Sequence, residues 1–314
     1  MTRYKPEEIS DLNRARPFSK WPLVAFGGRA TGRVSRVAAT LLCSCLTFVG
    51  GEAVAAPAVR VFPTGEAYPS YVADPRQPEF AVTILGYTDP SIIDSGNRRF
   101  GLKLGGRFGL LRFEPAERPE RGWQLDIEAG FNGQFDIEHS LDNIGWDGLY
   151  SLLLSTSLTP DVSLQLGAKH VSSHVGDEYA ERTGRKRIGY TREELAAGAA
   201  WAFAPRWRGY AEAGWSVSPK EEVGQEPGRL QLGAVHEAPG TLAQGKLGWY
   251  AAANLGSMEE RDWQLDASAE IGFLVPARDR LWRFGLAVHD GTVPIGEFFR
   301  DDETYFALGL WLEP

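Results

Sequence analysis

The sequence predicts an all-β fold, an antiparallel transmembrane β-barrel of about 12 strands (range about 10–12). Apolar and polar residues alternate strictly in one segment after another, and a period of two is typical of strands. Each segment is about 9–13 residues long, which suffices for a tilted strand to cross a bilayer. Short turns and long connections follow one another between the segments, as in barrels of the outer membrane.

Residues 1–56 are predicted to be a signal peptide. Arg33 and Arg36 precede an apolar run at 37–49, and small residues follow it as a cleavage site. The run is too short to span a bilayer as a helix. The polar stretch before the run is long for a signal, which leaves the true translation start open.

The net charge excludes one class of partner. The chain carries −8, and residues 1–56 contribute +4, so residues 57–314 carry −12. A chain this acidic lacks the positive surface that binds a phosphate backbone, so no nucleic-acid partner is expected. The expected partners are outer-membrane lipids and the barrel-assembly machinery that inserts such proteins, and a homodimer is left open.

Residues 80–314 are predicted to form the barrel, after a Pro-rich periplasmic lead-in at 57–79. Repeated prolines remove ladder donors, so the lead-in is expected to be extended or irregular rather than a strand. The alternation is clearest in 123–132 and 263–275, where a helical period would spread the charges around the axis. The remaining predicted strands are 81–87, 98–112, 146–158, 162–175, 190–203, 207–217, 229–237, 246–255, 281–289 and 304–312.

Side-chain types along these strands favour a membrane barrel over a soluble β-sandwich or a lipocalin-like barrel, which would also alternate. Tryptophans at strand ends are expected to form aromatic girdles, and these are Trp123, Trp207, Trp263, Trp282 and Trp311. Charged residues on the polar face predict a water-filled or salt-bridged lumen, and these are Lys103, Arg107, Asp126, Glu128, Glu212, Asp266, Glu270 and Arg283.

The stretch 169–179 concentrates histidines, serines and carboxylates. Parity with the residues before it places His170, Ser172 and His174 on the lipid-facing side, where polar groups are destabilising. Residues two apart on a strand lie about 7 Å apart and share a face. Ser172 and His170 therefore have the minimum arrangement of a nucleophile and its general base.

A base of this kind needs a third group to orient it. Glu193 is the best candidate, because an antiparallel hairpin would return it beside His170, and Asp177 is the second choice. Asp177 and Glu178 could also offer oxygen ligands to Ca²⁺ in the outer loop. Zinc binding by His170 and His174 is disfavoured, because they would be about 13 Å apart on a straight strand.

Two function hypotheses follow. One is an acyl (ester) hydrolase acting on phospholipid or lipopolysaccharide, in which backbone N–H groups of 173–178 stabilise the oxyanion. The other is a non-enzymatic barrel, either a narrow pore or a structural protein, whose polar cluster only marks where the strand leaves the membrane. Substitution of Ser172 distinguishes the two hypotheses. Only the hydrolase hypothesis predicts that the substitution abolishes an ester-cleaving activity.

The stretch resembles an uncharacterised family of bacterial exported proteins, a domain of unknown function. An Ala-Asp-Pro-Arg-Gln-Pro-like stretch of that family is matched by 73–78, and a His-x-Ser-Ser-His-x-Gly-Asp-Glu-Tyr core is matched by 170–179. A Tyr and a Glu that open the following strand are matched approximately by 190–193. The resemblance implies a barrel and brings no established activity.

A looser similarity is to outer-membrane phospholipase A and the lipid A deacylases, which carry a His-x-Ser-Asn run on the lipid-facing surface of a barrel. Residues 170–172 match the His-x-Ser part, and Ser173 replaces the Asn. The third catalytic residue of those enzymes would fall at Gly184, so the role of Glu193 departs from their spacing. The similarity implies an acyl hydrolase acting on outer-membrane lipids.

Overall fold

The computed structural model describes residues 57–117, 121–277 and 280–312, so the predicted signal peptide lies outside the described residues. Twelve antiparallel strands, β2 to β13, close into a barrel in which neighbours in sequence pair and β2 pairs with β13. The strands are β1 (Ala58–Val61), β2 (Phe80–Asp89), β3 (Arg98–Glu114), β4 (Trp123–Asp136), β5 (Asp142–Thr159), β6 (Val162–Val175), β7 (Thr191–Ala204), β8 (Trp207–Ser216), β9 (Gly228–Leu242), β10 (Leu247–Met258), β11 (Leu265–Ala277), β12 (Arg280–Thr292) and β13 (Asp302–Leu312). Helix α1 (Asp177–Thr183) joins β6 to β7. Single 3-10 turns lie at Ile137–His139, Glu221–Val223, Ala243–Gly245, Glu259–Arg261 and Gly296–Phe298.

The predicted barrel is confirmed, because each of the twelve predicted segments forms one of its strands. Most strand boundaries shift by one or more residues, and Trp263 belongs to the turn before β11, with φ 58°. No helix within the described residues is long and apolar enough to cross a membrane.

The outer surface of the barrel is apolar. Leu166, Leu195 and Ile271 are each more than half exposed, as side chains facing lipid would be. Trp123, Trp207 and Trp263 are also exposed. The expectation for Trp311 was wrong, because its side chain is buried, 3% exposed. Parity explains this, since the exposed Phe306, Leu308 and Leu310 take the outward positions of β13.

The interior is filled by ion pairs, which confirms the salt-bridged alternative for the lumen. Burying a charge is strongly destabilising unless it is paired and hydrogen-bonded, and this requirement is met on strand after strand. The interior pairs include Arg99–Glu303 (2.6 Å), Lys103–Glu79 (3.0 Å), Arg107–Glu128 (3.3 Å), Lys169–Glu212 (2.7 Å), Arg229–Glu194 (2.6 Å) and Arg283–Glu79 (2.6 Å).

The Pro-rich segment enters the barrel. Its residues 66–79, here called the plug, lie among the inward-facing side chains. Tyr71 stacks on Tyr210 with ring centroids 4.2 Å apart and donates to Glu212 at 2.9 Å. A polar interior cavity of about 140 Å³ is lined by the plug and by residues of the long-loop end of the barrel.

The lead-in was expected to contain no strand, yet β1 forms. Residues 58–61 pair with 111–114, a part of β3 that extends beyond its pairing with β2. This difference arises because residues 58–61 lie between Pro57 and Pro63 and contain no proline, so all four keep their ladder donors.

Candidate active site

His170 is held by both neighbouring strands. It lies directly opposite Tyr150 of β5 and Glu193 of β7. Its Nδ1 is 2.5 Å from Oε1 of Glu193, and its ring stacks on Tyr150 with centroids 4.2 Å apart. The placement of Glu193 beside His170 is therefore as predicted. Since the carboxylate fixes the ring at Nδ1, Nε2 is left to act on another group.

Ser172 does not contact His170 in this structure, which differs from the prediction. Its Oγ lies 3.3 Å from Nε2 of His174, whose ring stacks on Trp146 with centroids 4.2 Å apart. The reason is geometric: both histidines flank Ser172 on one face of β6, and one rotamer of the hydroxyl can reach only one of them.

The pair formed by His170 and Glu193 opens to the outside of the barrel. A surface cleft of about 300 Å³ contains both side chains together with apolar ones such as Leu152 and Leu195. The Glu193 side chain is 48% exposed and that of His170 is 16% exposed. Trp215, 60% exposed, pairs with Leu195, so the site lies just beyond an exposed aromatic residue at the long-loop end.

The inward half of the same stretch has a structural role. Residues 176–190, which include α1, and the loop residues 293–301 meet across the long-loop end of the barrel and are here called the cap. Ser173 is fully buried, and its Oγ accepts the N–H of Glu297 at 2.8 Å. The Glu297 carboxylate accepts three consecutive backbone N–H groups, at 188–190, over 2.8, 2.7 and 3.1 Å.

Two further residues of the stretch anchor α1 in the cap. Tyr179 is fully buried and donates its hydroxyl to the carbonyl of Ile93 at 2.6 Å. Burial raises the pKa of Tyr179, which keeps the hydroxyl protonated as a donor. Gly176 precedes α1, and a Cβ there would lie 1.7 Å from the carbonyl oxygen of Asn143.

Gly176→Ala is therefore expected to destabilise the cap by about 1–3 kcal/mol, because the backbone must move to make room for the methyl group. Limited trypsin digestion should cut the variant faster than the wild type within 182–187. Gly86→Ala is the control, since the nearest atom to its added Cβ is 4.0 Å away. Equal cleavage rates for all three proteins would contradict this role of Gly176.

The other predicted site residues stay apart from His170. Asp177 and Glu178 are exposed on the first turn of α1. No group of three or more His, Cys, Asp or Glu side chains in the described part of the chain could hold a metal ion. Calcium ligation by Asp177 and Glu178 stays a prediction. The backbone N–H groups of Ser173 and Gly176 donate to carbonyl oxygens, which removes them as oxyanion donors.

A closed antiparallel barrel with an apolar outside and a charged, plugged interior is the fold of an outer-membrane β-barrel protein. The chain belongs to the DUF1207 family, described as a protein of unknown function, whose model matches residues 40–313. A comparison with curated proteins found no match.

Two solved structures share this fold. One is the outer membrane phospholipase dimer of Salmonella typhi with bound calcium, at 13% identity and a TM-score of 0.51, covering 75% of this chain and 90% of that one. Outer membrane phospholipase A from Escherichia coli gives the same values: 13% identity, a TM-score of 0.51, and 75% and 90% coverage. At this identity the likeness shows the fold alone.

Sequence reasoning missed the aromatic supports and the cap. Trp146 and Tyr150 are on the apolar face of β5 in the sequence pattern. The tight turn before β6 fixes the pairing of the two strands to within a residue, which places Trp146 beside His174 and Tyr150 beside His170. Glu297 carried no signal, because one carboxylate in a long loop does not show which backbone groups it will bind.

Proposed function

We propose that the protein is a hydrolase of the outer membrane that removes acyl chains from membrane lipids, with Ser172 as the nucleophile. The observation that carries the proposal is the Glu193–His170 pair, a 2.5 Å contact on the outer face of the barrel beside a serine. An ionisable pair on the lipid-facing surface is destabilising, and such groups are usually functional. The apolar cleft around the pair supplies room for an acyl chain.

His170 is proposed as the general base. Rotation of the Ser172 hydroxyl by about 120°, one rotamer step, turns it from His174 towards His170. Nε2 of His170 takes the hydroxyl proton while Oγ attacks the ester carbonyl carbon, and Glu193 stabilises the imidazolium. The imidazolium then protonates the leaving alcohol, which gives an acyl-enzyme. Water, activated by the same imidazole, cleaves the acyl-enzyme and frees the fatty acid.

The assignment of the base is tested by two matched substitutions. His170→Asn is expected to lower kcat for a micellar ester on the order of 10³-fold or more, and His174→Asn by less than about 10-fold. Glu193→Gln should lower kcat on the order of 10²- to 10⁴-fold, because the ring loses its orienting carboxylate. Continuous titration of released fatty acid measures all three. A large loss only in His174→Asn would make His174 the base instead.

The pore hypothesis receives less support. The plug and the ion pairs fill the interior, and an open pore would need both displaced. Location in the outer membrane, contact with its lipids and insertion by the barrel-assembly machinery follow from the proposed class. A homodimer and a role for Ca²⁺ stay predictions.

A further inference from the structure

A basic segment runs past the site. Ser172 pairs with Thr191, and the N–H of Ser173 donates to the carbonyl of Tyr190 at 2.9 Å. The residues that precede Tyr190 therefore pass His174 on the side away from the membrane centre. This segment, 182–187, contains Arg182, Arg185, Lys186 and Arg187.

Two of these four cations are more available to a ligand than the others. Arg182 is held by Asp142 at 3.0 Å, and Arg185 by Asp301 at 3.4 Å. In the described part of the chain Lys186 has no ion pair.

Arg187 is paired with Glu297 at 3.6 Å, but its side chain is 52% exposed, against 26% for Arg182 and 27% for Arg185. The carboxylate of Glu297 already accepts three backbone N–H groups and does not depend on this arginine. Arg187 is also close enough to His174 for its charge to act on that ring.

The polarity along the outer surface has a definite order. Apolar Ala168 and Leu195 lie towards the membrane centre, Ser172 lies beyond them, and the exposed Lys186 and Arg187 come last. A phosphate-bearing lipid has the same order, with acyl chain, ester and phosphate. An arginine fork binds phosphate through charge-assisted hydrogen bonds, and lysine adds a point charge.

We propose that Lys186 and Arg187 bind the phosphate of the lipid whose acyl ester is cleaved at Ser172. The substrate is then a phosphorylated membrane lipid rather than a neutral acylglycerol. The inference rests on the proposed hydrolase function and assigns the two residues that would select a phosphorylated substrate. Phosphoglycerides and lipid A share this chemistry.

The test compares esters with and without phosphate. Purified full-length protein is given phosphatidylglycerol, bis-phosphorylated lipid A, or diacylglycerol with the same acyl chains as the phosphatidylglycerol, each in neutral detergent micelles. In the double variant Lys186→Gln/Arg187→Gln, the ratio of kcat/KM for phosphatidylglycerol to that for diacylglycerol should fall about tenfold, and the change should lie in KM. Of the two phosphorylated lipids, the one with the lower wild-type KM identifies the source.

Arg206→Gln/Lys246→Gln is the matched control, because it removes the same charge from exposed turn residues at the opposite rim. It should leave the ratio at its wild-type value. The proposal would be overturned if the kcat/KM ratio did not change in Lys186→Gln/Arg187→Gln, or if it fell equally in both double variants. Raising the salt concentration should reduce the wild-type preference, since the contacts are exposed.

A binding measurement separates this proposal from the hydrolase itself. Native mass spectrometry of Ser172→Ala protein in micelles with phosphatidylglycerol reads binding without turnover. If Ser172→Ala protein retains the lipid and loses it when Lys186→Gln/Arg187→Gln is added, the phosphate site is supported. This holds even if no ester is ever cleaved, in which case only the proposed hydrolase function fails. Equal retention with and without the two cations overturns the phosphate site.

Discussion

Ser172→Ala is expected to lower the rate of ester cleavage on the order of 10³-fold or more, because the substitution removes the hydroxyl proposed to form the acyl-enzyme. Ser172 lies 3.3 Å from one imidazole and two residues from the second, so it is the serine of the outer surface with bases on both sides. Removing a single hydroxyl from the surface should leave the fold intact. The measurement is titration of fatty acid released from a neutral micellar ester.

Ser257→Ala provides the matched control. Ser257 shares the outward face of β10, near the same end of the barrel, and no hydrogen bond joins it to a histidine within the described residues. Its replacement should leave the rate within about twofold, as expected for a surface substitution. Heat-modifiable migration on a denaturing gel checks that both variants are closed barrels. Full activity of folded Ser172→Ala would exclude the proposed nucleophile.

Arg99→Met is expected to cost about 3–5 kcal/mol of stability, since it leaves the Glu303 carboxylate buried without its counter-charge. Both side chains are completely buried. Two hydrogen bonds, of 2.7 and 2.6 Å, join them, and the guanidinium stacks 3.8 Å above the ring of Tyr87. Urea unfolding of the barrel in lipid vesicles, followed by tryptophan fluorescence, measures the change in unfolding free energy.

Arg98→Met is a control at the adjacent residue. Arg98 is 68% exposed and pairs with Glu138 on the surface, so its loss should change stability by less than about 1 kcal/mol. Similar effects of the two substitutions would mean that the interior ion pair is hydrated or dispensable. The interpretation of the interior as a network of paired charges would then be wrong.

Most of the barrel could be predicted because alternation is a local signal. A one-residue slip of 123–132 would turn its apolar residues towards the charged interior, so sequence alone specifies the faces of β4. Trp311 shows the limit of this signal. Its position at a strand end suggested an aromatic girdle, but the residue next to it, Leu310, faces outward, so Trp311 faces inward. The plug could not be predicted, since contacts such as Tyr71 with Glu212 join residues 141 apart.

The candidate site was predictable in part for the same reason. The face of the strand on which each residue lies and the pairing of the two strands both follow from backbone geometry. Together they predicted that Glu193 lies beside His170. Whether the Ser172 hydroxyl contacts His170 or His174 depends on a side-chain rotamer, which cannot be predicted from the sequence. The cap could not be predicted either, because Ser173 of β6 meets Glu297 only when the loop between β12 and β13 folds over the end of the barrel.

The most direct test of the central claim is mass spectrometry of outer-membrane lipids incubated with the purified full-length protein. Wild type, Ser172→Ala and His170→Asn are compared in parallel, with and without added Ca²⁺. The account predicts that wild type removes an acyl chain from a phosphorylated lipid and that both variants do not. Intact lipids after incubation with folded wild-type protein under both conditions would contradict it.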